Sequence, residues 1–345
     1  MCNLQAVRIK RMVEKAFSAL LEGLLRGERL FLSKAITLIE TANPALFPWR
    51  DRLLMEVEKL PARDTFRLAI TGVPGAGKST LINQLGLQWI KEGHKVAVLA
   101  IDPSSEVSQG SVLGDKTRMA DLAREENAFI RPSPTRLHLG GVASSTFETI
   151  MLCEAAGYDR ILVETVGVGQ SEQEASQLTD ACLLLLIAGA GDELQAVKRG
   201  ILESADVILI NKADGENLEK AKSAAKELQN ISSLWAQKPG KAHTEVLYSS
   251  SMENSIFHTL VNQLKLLFSK VMQEAFFTMN RETQKQIWFQ KVLRNHLFEN
   301  IRKNEGLASL LKELEQKQKN GTGLVDLFSE LDRRVMIETT FNPNN

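Results

Sequence analysis

The sequence has no surplus of charge of either sign. Its 42 Lys and Arg are matched by 42 Asp and Glu, for a net charge of zero. A nucleic-acid or membrane surface calls for a basic excess, so neither is expected as a partner. Cysteine is scarce. Cys2, Cys153 and Cys182 form an odd, scattered set without metal-ligand spacing, a poor disulfide framework that implies reduced thiols. The five histidines are scattered too, which argues against a transition-metal store. No apolar run reaches the roughly 18 residues of a spanning helix. The longest, Ala181 to Ala190, is bounded by glycine and suits a buried strand. Near the start, Arg8, Lys10, Arg11 and Lys15 are interrupted by Glu14 and Glu22, and no signal-peptide apolar core follows. The expected location is the cytoplasm, or the mitochondrial matrix if the source is eukaryotic.

What is present is enough for one large α/β domain with helical additions. The chain has 345 residues, 43% hydrophobic and 24% charged, an ordinary globular composition. Residues 1–60 read as an N-terminal helical extension, with Val13, Phe17, Leu20, Leu21, Leu24 and Leu25 at helical spacing on one face. Gly27 ends that helix, and a second runs from Ser33 to about Thr41. Between 61 and 270, short apolar strands alternate with helical segments. The strands are Arg67–Thr71, Lys95–Ile101, Arg160–Thr165, Cys182–Gly189, Val207–Ile210 and Glu245–Ser249. Near-continuous apolar runs in such an alternation predict a mostly parallel sheet with helices on both faces. Residues 271–345 are helical again. Phe289, Leu293, Leu297 and Ile301 recur every fourth position, and Asn320 to Gly323 separates two later helices. That apolar tail either folds back or forms a dimer interface.

The chemistry starts at Gly72-Val73-Pro74-Gly75-Ala76-Gly77-Lys78-Ser79-Thr80, a complete G-x-x-x-x-G-K-[ST] phosphate loop. An apolar strand leads in and a helix leads out. The glycines let backbone N–H groups wrap a phosphate, and the helix N-terminus adds partial positive charge. Lys78 is placed to reach the β- and γ-phosphates, and the Ser79 hydroxyl to ligate Mg²⁺. About 130 residues on, Asn211-Lys212-Ala213-Asp214 follows another strand. A carboxylate at Asp214 can accept both N1–H and the 2-amino protons of guanine. Adenine has neither, so the carboxylate would be left desolvated and unpaired. Lys212 can cover the base with its stem, and Asn211 can tie this loop to the phosphate loop. Ser251 and Met252, after the last strand, suit a backbone contact to the guanine carbonyl.

Between these loops lie carboxylates at strand ends and in loops. Asp102 and Glu164 are candidates for the Mg²⁺ side of the site, and Asp115 for catalysis. Gly167 is a candidate N–H donor to the γ-phosphate. No glutamine directly follows Gly167, so slow intrinsic turnover that a partner accelerates is expected.

The P-loop is accompanied by longer signatures. These are Ala100-Ile101-Asp102-Pro103-Ser104-Ser105, Leu113 to Met119, Phe129-Ile130-Arg131-Pro132, Gly140 to Ala143 and Cys153 to Asp159. Further on come Val163-Glu164-Thr165-Val166-Gly167-Val168-Gly169-Gln170-Ser171-Glu172 and Gly189 to Gln195. Over about residues 25 to 270 the chain resembles the MeaB/ArgK GTPases. These are the methylmalonyl-CoA mutase-associated members of the signal-recognition and metal-chaperone class. The resemblance implies a homodimer formed through C-terminal helices. It implies GTP/GDP and Mg²⁺ as ligands and an adenosylcobalamin-dependent methylmalonyl-CoA mutase, or a related acyl-CoA mutase, as client. In the family, GTP binding and hydrolysis gate cofactor loading and protect the mutase. The resemblance also assigns Lys198 as the working lysine of a mobile switch. It places Asp102, Asp115 and Glu164 in the magnesium and catalytic site. Ser250-Ser251-Met252 departs from the family's usual Ser-Ala-Leu, a change that a backbone contact survives. No Asp-x-His-x-x-Gly motif is present, so cobalamin binding by this chain itself is not expected. Three other readings compete: a nickel-insertion metallochaperone, an ATP-dependent protein kinase, and a non-hydrolysing GTP sensor. The first lacks a His- or Cys-rich site. The second has no use for Asp214. The third has no need of Lys78, Ser79, Glu164 and Asp115.

Overall fold

A computed structural model describes the chain except for residues 1, 42, 103–118, 135–141, 166–170, 188–198, 234, 236–243, 250–253, 304, 322 and 342–345; within some elements, Asp102 included, it describes the backbone alone. By contacts the chain divides into two units, Met1–Trp288 and Phe289–Asn345.

The first unit is built on a seven-stranded sheet. Its strands are β1 (Phe66–Gly72), β2 (Val96–Asp102), β3 (Ala128–Pro134), β4 (Arg160–Thr165), β5 (Ala181–Ile187), β6 (Val207–Asn211) and β7 (Glu245–Tyr248). They lie in the order β3-β2-β4-β1-β5-β6-β7, and every neighbouring pair is parallel. Parallel strands need crossover helices, which bury the sheet on both sides. The period-2 alternation sorts the side chains accordingly. Leu68, Ile70, Val98 and Leu162 face one core with helices α4 (Lys78–Lys91) and α10 (Asn254–Val271). Ala69, Leu99, Ile161 and Val163 face the other, with α1 (Cys2–Leu25), α2 (Arg29–Ile39), α3 (Phe47–Glu58) and α6 (Val142–Ala155). The remaining helices of this unit are α5 (Ala120–Arg124), α7 (Ser171–Leu178), α8 (Arg199–Ser204), α9 (Leu218–Ser232) and the first half of α11 (Glu274–Lys303).

The N-terminal helices therefore share a core with the sheet. Phe17, Leu24, Leu32, Ile36 and Leu53 are buried in it, each contributing roughly 1.5–3 kcal/mol. Two residues expected on the α1 inner face are not there: Val13 is 36% and Leu25 40% exposed. A 3.6-residue repeat spreads so long an apolar set wider than the stripe the sheet can cover.

β3 is absent from the expected strands. It carries Pro132 and Pro134, which read as breakers, but it pairs only with β2 and so lies at the sheet edge. An edge strand tolerates a residue that cannot donate to the ladder.

Aspartates set the register at the starts of the strands. Asp159 accepts from Lys95 N, Asp180 from Arg67 N and Asp206 from Cys182 N, each at 2.8 Å. Each closes the first open N–H beside its own strand with a charge-assisted bond.

Phe289–Asn345 is a second helical unit. In it α12 (Glu305–Lys319) and α13 (Leu324–Phe341) pack through Leu310, Leu314 and Leu327, laced by Lys317–Glu330 and Arg334–Glu313 ion pairs. Phe289, Leu293 and Leu297 of α11 are exposed, at 57%, 44% and 54%.

Candidate functional site

β1 lies at the centre of the sheet, between β4 and β5. The chain first crosses to one side of β1 and later to the other, so the carboxyl end of β1 is the switch point of the topology. Open α/β sheets place their ligands at such a crevice. Gly72 to Thr80 leaves β1 there.

The loop's shape needs its glycines. Gly72 has φ +146, and a Cβ on it would collide with the Leu185 carbonyl of β5. Gly77 caps α4 with φ +91, and a Cβ there would lie 2.7 Å from Asn211 Nδ2. Both positions are closed to any side chain. Immediately after this turn α4 begins at Lys78, so its open N–H groups and partial positive charge face the loop. Lys78 Nζ donates to the carbonyls of Gly72 at 2.8 Å and Val73 at 3.3 Å, folding the ammonium across the loop. Val73 and Ala76 are buried, Pro74 and Gly75 exposed and Thr80 exposed.

Glu164 comes from β4, where its Cα pairs with Ile70 on β1 and Ala100 on β2. Its side chain is buried, and Ser79 Oγ donates to its Oε1 at 3.1 Å. A hydroxyl and a carboxylate side by side at the end of the P-loop are the hard oxygen donors a divalent cation such as Mg²⁺ takes. The residues present fit that ion. Thr165 follows, fully buried, donating from Oγ1 to Thr71 Oγ1 at 2.9 Å and so locking the ends of β4 and β1 together.

Asn211 closes β6 and is buried. Its Nδ2 donates to the Ala76 carbonyl at 2.6 Å, so the end of β6 and the P-loop are joined. Next in the chain, Lys212 takes the left-handed φ of +57, the one described non-glycine residue with positive φ. Ala213 N then donates to Ser249 O at 3.1 Å, and Ser249 N to Ile210 O at 2.8 Å, which fastens the turn to the end of β7. Lys212 and Asp214 are exposed on the outside of this turn.

The structure thus brings together Gly72 to Thr80, Glu164 and Asn211 to Asp214 along the carboxyl edge of β1, β4 and β6. Asp102 ends β2 on the same edge. Asp115, Gly167, Lys198, Ser251 and Met252 lie outside the described residues.

One cluster had no sequence signal. At the opposite, amino-terminal end of β1, Arg67 forks onto Glu154 of α6 at 2.7 and 2.8 Å. Gln284 and Arg281 of α11 complete it. Gln284 accepts from Arg67 Nη1 at 2.6 Å, and Arg281 donates to Asp180 at 2.9 Å. Against the cost of desolvation, the Arg67 guanidinium holds the half-buried Glu154 carboxyl below the usual range. Partners 87 and 217 positions apart in the chain leave no local pattern.

Comparison with known proteins gives a consistent picture. The family model for "Methylmalonyl Co-A mutase-associated GTPase MeaB" matches residues 32–306. The chain is 43% identical to GTPase ArgK of Escherichia coli (strain K12) over 286 residues, 80% of this chain and 85% of that protein. It is 37% identical to the mitochondrial methylmalonic aciduria type A homolog of Mus musculus over 328 residues, 90% of this chain and 76% of that protein. Among solved structures, a crystal structure of an LAO/AO transport system kinase matches with a TM-score of 0.74 at 31% identity. It covers 94% of this chain and 98% of that one.

Proposed function

The chain belongs to the family of methylmalonyl-CoA mutase-associated GTPases, and from that premise we propose that it is a magnesium-dependent GTP hydrolase serving an adenosylcobalamin-dependent acyl-CoA mutase. The observation that carries the reading is the Ser79–Glu164 contact at 3.1 Å beside a complete P-loop whose lysine lies across the loop. In the proposed cycle the loop N–H groups and the α4 N-terminus receive the phosphates. Lys78 exchanges its bonds to Gly72 and Val73 for phosphate oxygens. Ser79, Glu164 and Asp102 would hold Mg²⁺, which when bound would neutralise phosphate charge. Asn211 keeps the phosphate loop closed, and Asp214 selects guanine. Asp115, Gly167 and Lys198 act on the γ-phosphate and on the switch, Ser251 and Met252 at the base.

Turnover by the isolated chain is slow, because Val168 occupies the place after Gly167 where a water-orienting glutamine would help. The mutase is the accelerating partner, and hydrolysis gates cofactor loading. Support for the client comes from the family and from the Mus musculus relative's association, by name, with methylmalonic aciduria. The apolar stripe Phe289, Leu293 and Leu297 supports a homodimer through the C-terminal helices.

The test is GTP turnover with and without a purified methylmalonyl-CoA mutase, with co-elution measured by gel filtration. Nucleotide-dependent co-elution and accelerated turnover support the client assignment. Unchanged turnover and separate elution with every nucleotide contradict it.

A further inference from the structure

The amino-terminal end of the sheet holds a second concavity. A cavity of about 200 Å³ opens between the end of α3, residues 60–63, α6 and α11. Its floor is apolar, made by Leu60, Phe147, Met151 and Trp288, with the Phe147 and Trp288 rings stacked at 5.3 Å. Its walls are charged, and most of that charge is matched. Arg67 is spent on Glu154 and Arg281 on Asp180. Lys285, on the rim, pairs with Glu58 at 2.6 Å. Arg63 is different: it lines the cavity, is exposed, and its guanidinium has no hydrogen-bond or ion-pair partner among the described residues. Among the charged side chains that line the cavity and their ion-pair partners, four cations therefore meet three carboxylates. Glu148, behind Trp288, adds a fourth only above about pH 7, so below it one positive charge is left over at the mouth of an apolar pocket.

We propose that this cavity binds a short-chain monocarboxylate, its tail on Phe147, Met151 and Trp288 and its carboxylate on Arg63. Size sets the upper limit. A dry cavity of about 150 Å³ accepts benzene, whereas drug-sized ligands take about 300–1,000 Å³. A ligand of roughly eight heavy atoms fits, and a nucleotide does not. Charge sets the class. A planar guanidinium receives a carboxylate through two parallel bonds, and one uncompensated cation matches one anionic charge. The apolar floor disfavours inorganic phosphate, which has nothing to bury there. Location separates the site from the nucleotide. Arg67 lies at the start of β1 and Gly72 closes it, so the cavity and the P-loop sit roughly 16 Å apart at about 3.3 Å per residue. The ligand would bridge α3, α6 and α11 and stabilise their docking on β1.

The experiment titrates the full-length protein with sodium hexanoate, 1-hexanol and sodium phosphate, reading tryptophan fluorescence and melting temperature. Hexanoate is expected to give a saturable fluorescence change and a rise in melting temperature. 1-Hexanol gives a weaker response and phosphate none. Arg63→Ala, a surface change, weakens hexanoate binding by about tenfold. Trp288→Phe loses the fluorescence change but keeps the rise in melting temperature. The proposal is overturned by a non-saturable hexanoate response, by equal responses to hexanoate and 1-hexanol, by phosphate acting as well as hexanoate, or by wild-type binding in Arg63→Ala.

Discussion

Asn211, at the end of β6, donates a 2.6 Å hydrogen bond from its side-chain amide to the carbonyl of Ala76 in the phosphate loop. The two loops are 135 positions apart in sequence and are tied directly by this bond. Breaking a buried bond of this kind costs about 1–3 kcal/mol. Asn211→Ala is therefore expected to weaken GDP binding roughly 5- to 150-fold. Titration with a fluorescent GDP measures it. Gly77→Ala should act in the same direction, because its Cβ would press within 2.7 Å of the same amide at a φ of +91.

Ser79 and Glu164 are predicted to carry the magnesium increment in nucleotide affinity. Ser79→Ala and Glu164→Gln each remove one oxygen donor of the pair that lies 3.1 Å apart. GDP affinity in the presence of a chelator should change little. The gain on adding magnesium should shrink at least tenfold, and turnover should fall with it. Calorimetry with and without magnesium checks both halves.

The amino-terminal network is a stability element. Arg67→Met leaves the half-buried Glu154 carboxylate with its main partner gone and the Thr65 hydroxyl still donating to it. Losing a charge-assisted contact of this kind costs about 1.5–3 kcal/mol. The denaturation midpoint should drop while the slope of the transition holds, as chemical unfolding will show.

Much of this was legible in the chain itself. The P-loop announced β1 and α4 because phosphate binding imposes residue types at fixed spacing. Asn211 to Asp214 was legible for the same reason. β3 was hidden, because Pro132 and Pro134 signal a loop unless the strand is known to lie at an edge. Arg67, Glu154, Asp180 and Gln284 were hidden because each, seen alone, is an ordinary polar residue. Only the topology brings α11 back onto β1. The periodicity of α1 overstated its buried face, since Val13 and Leu25 satisfy the spacing but point away from the sheet.

Glu148 of α6 makes stability depend on pH. Burial pushes its carboxyl from 4.5 to about 7, opposed by Arg50 and reinforced by Asp51. Between those values the folded protein holds a proton that the unfolded chain has released. Stability from this group is therefore full below pH 4.5, declines as pH rises, and is lost above about 7. Glu148→Gln should gain little at pH 5. It should be more stable than wild type by about 2 kcal/mol at pH 8. Melting curves across that range read the divergence.

Asp214 is predicted to make this P-loop selective for guanine nucleotide. The measurement is phosphate release from purified protein with GTP and, separately, ATP, in magnesium, for the wild type and Asp214→Ala. Slow GTP turnover, little ATP turnover, and a variant whose preference for GTP falls at least tenfold are expected. ATP turned over as fast as GTP, or a variant with undiminished guanine preference, would contradict that role for Asp214.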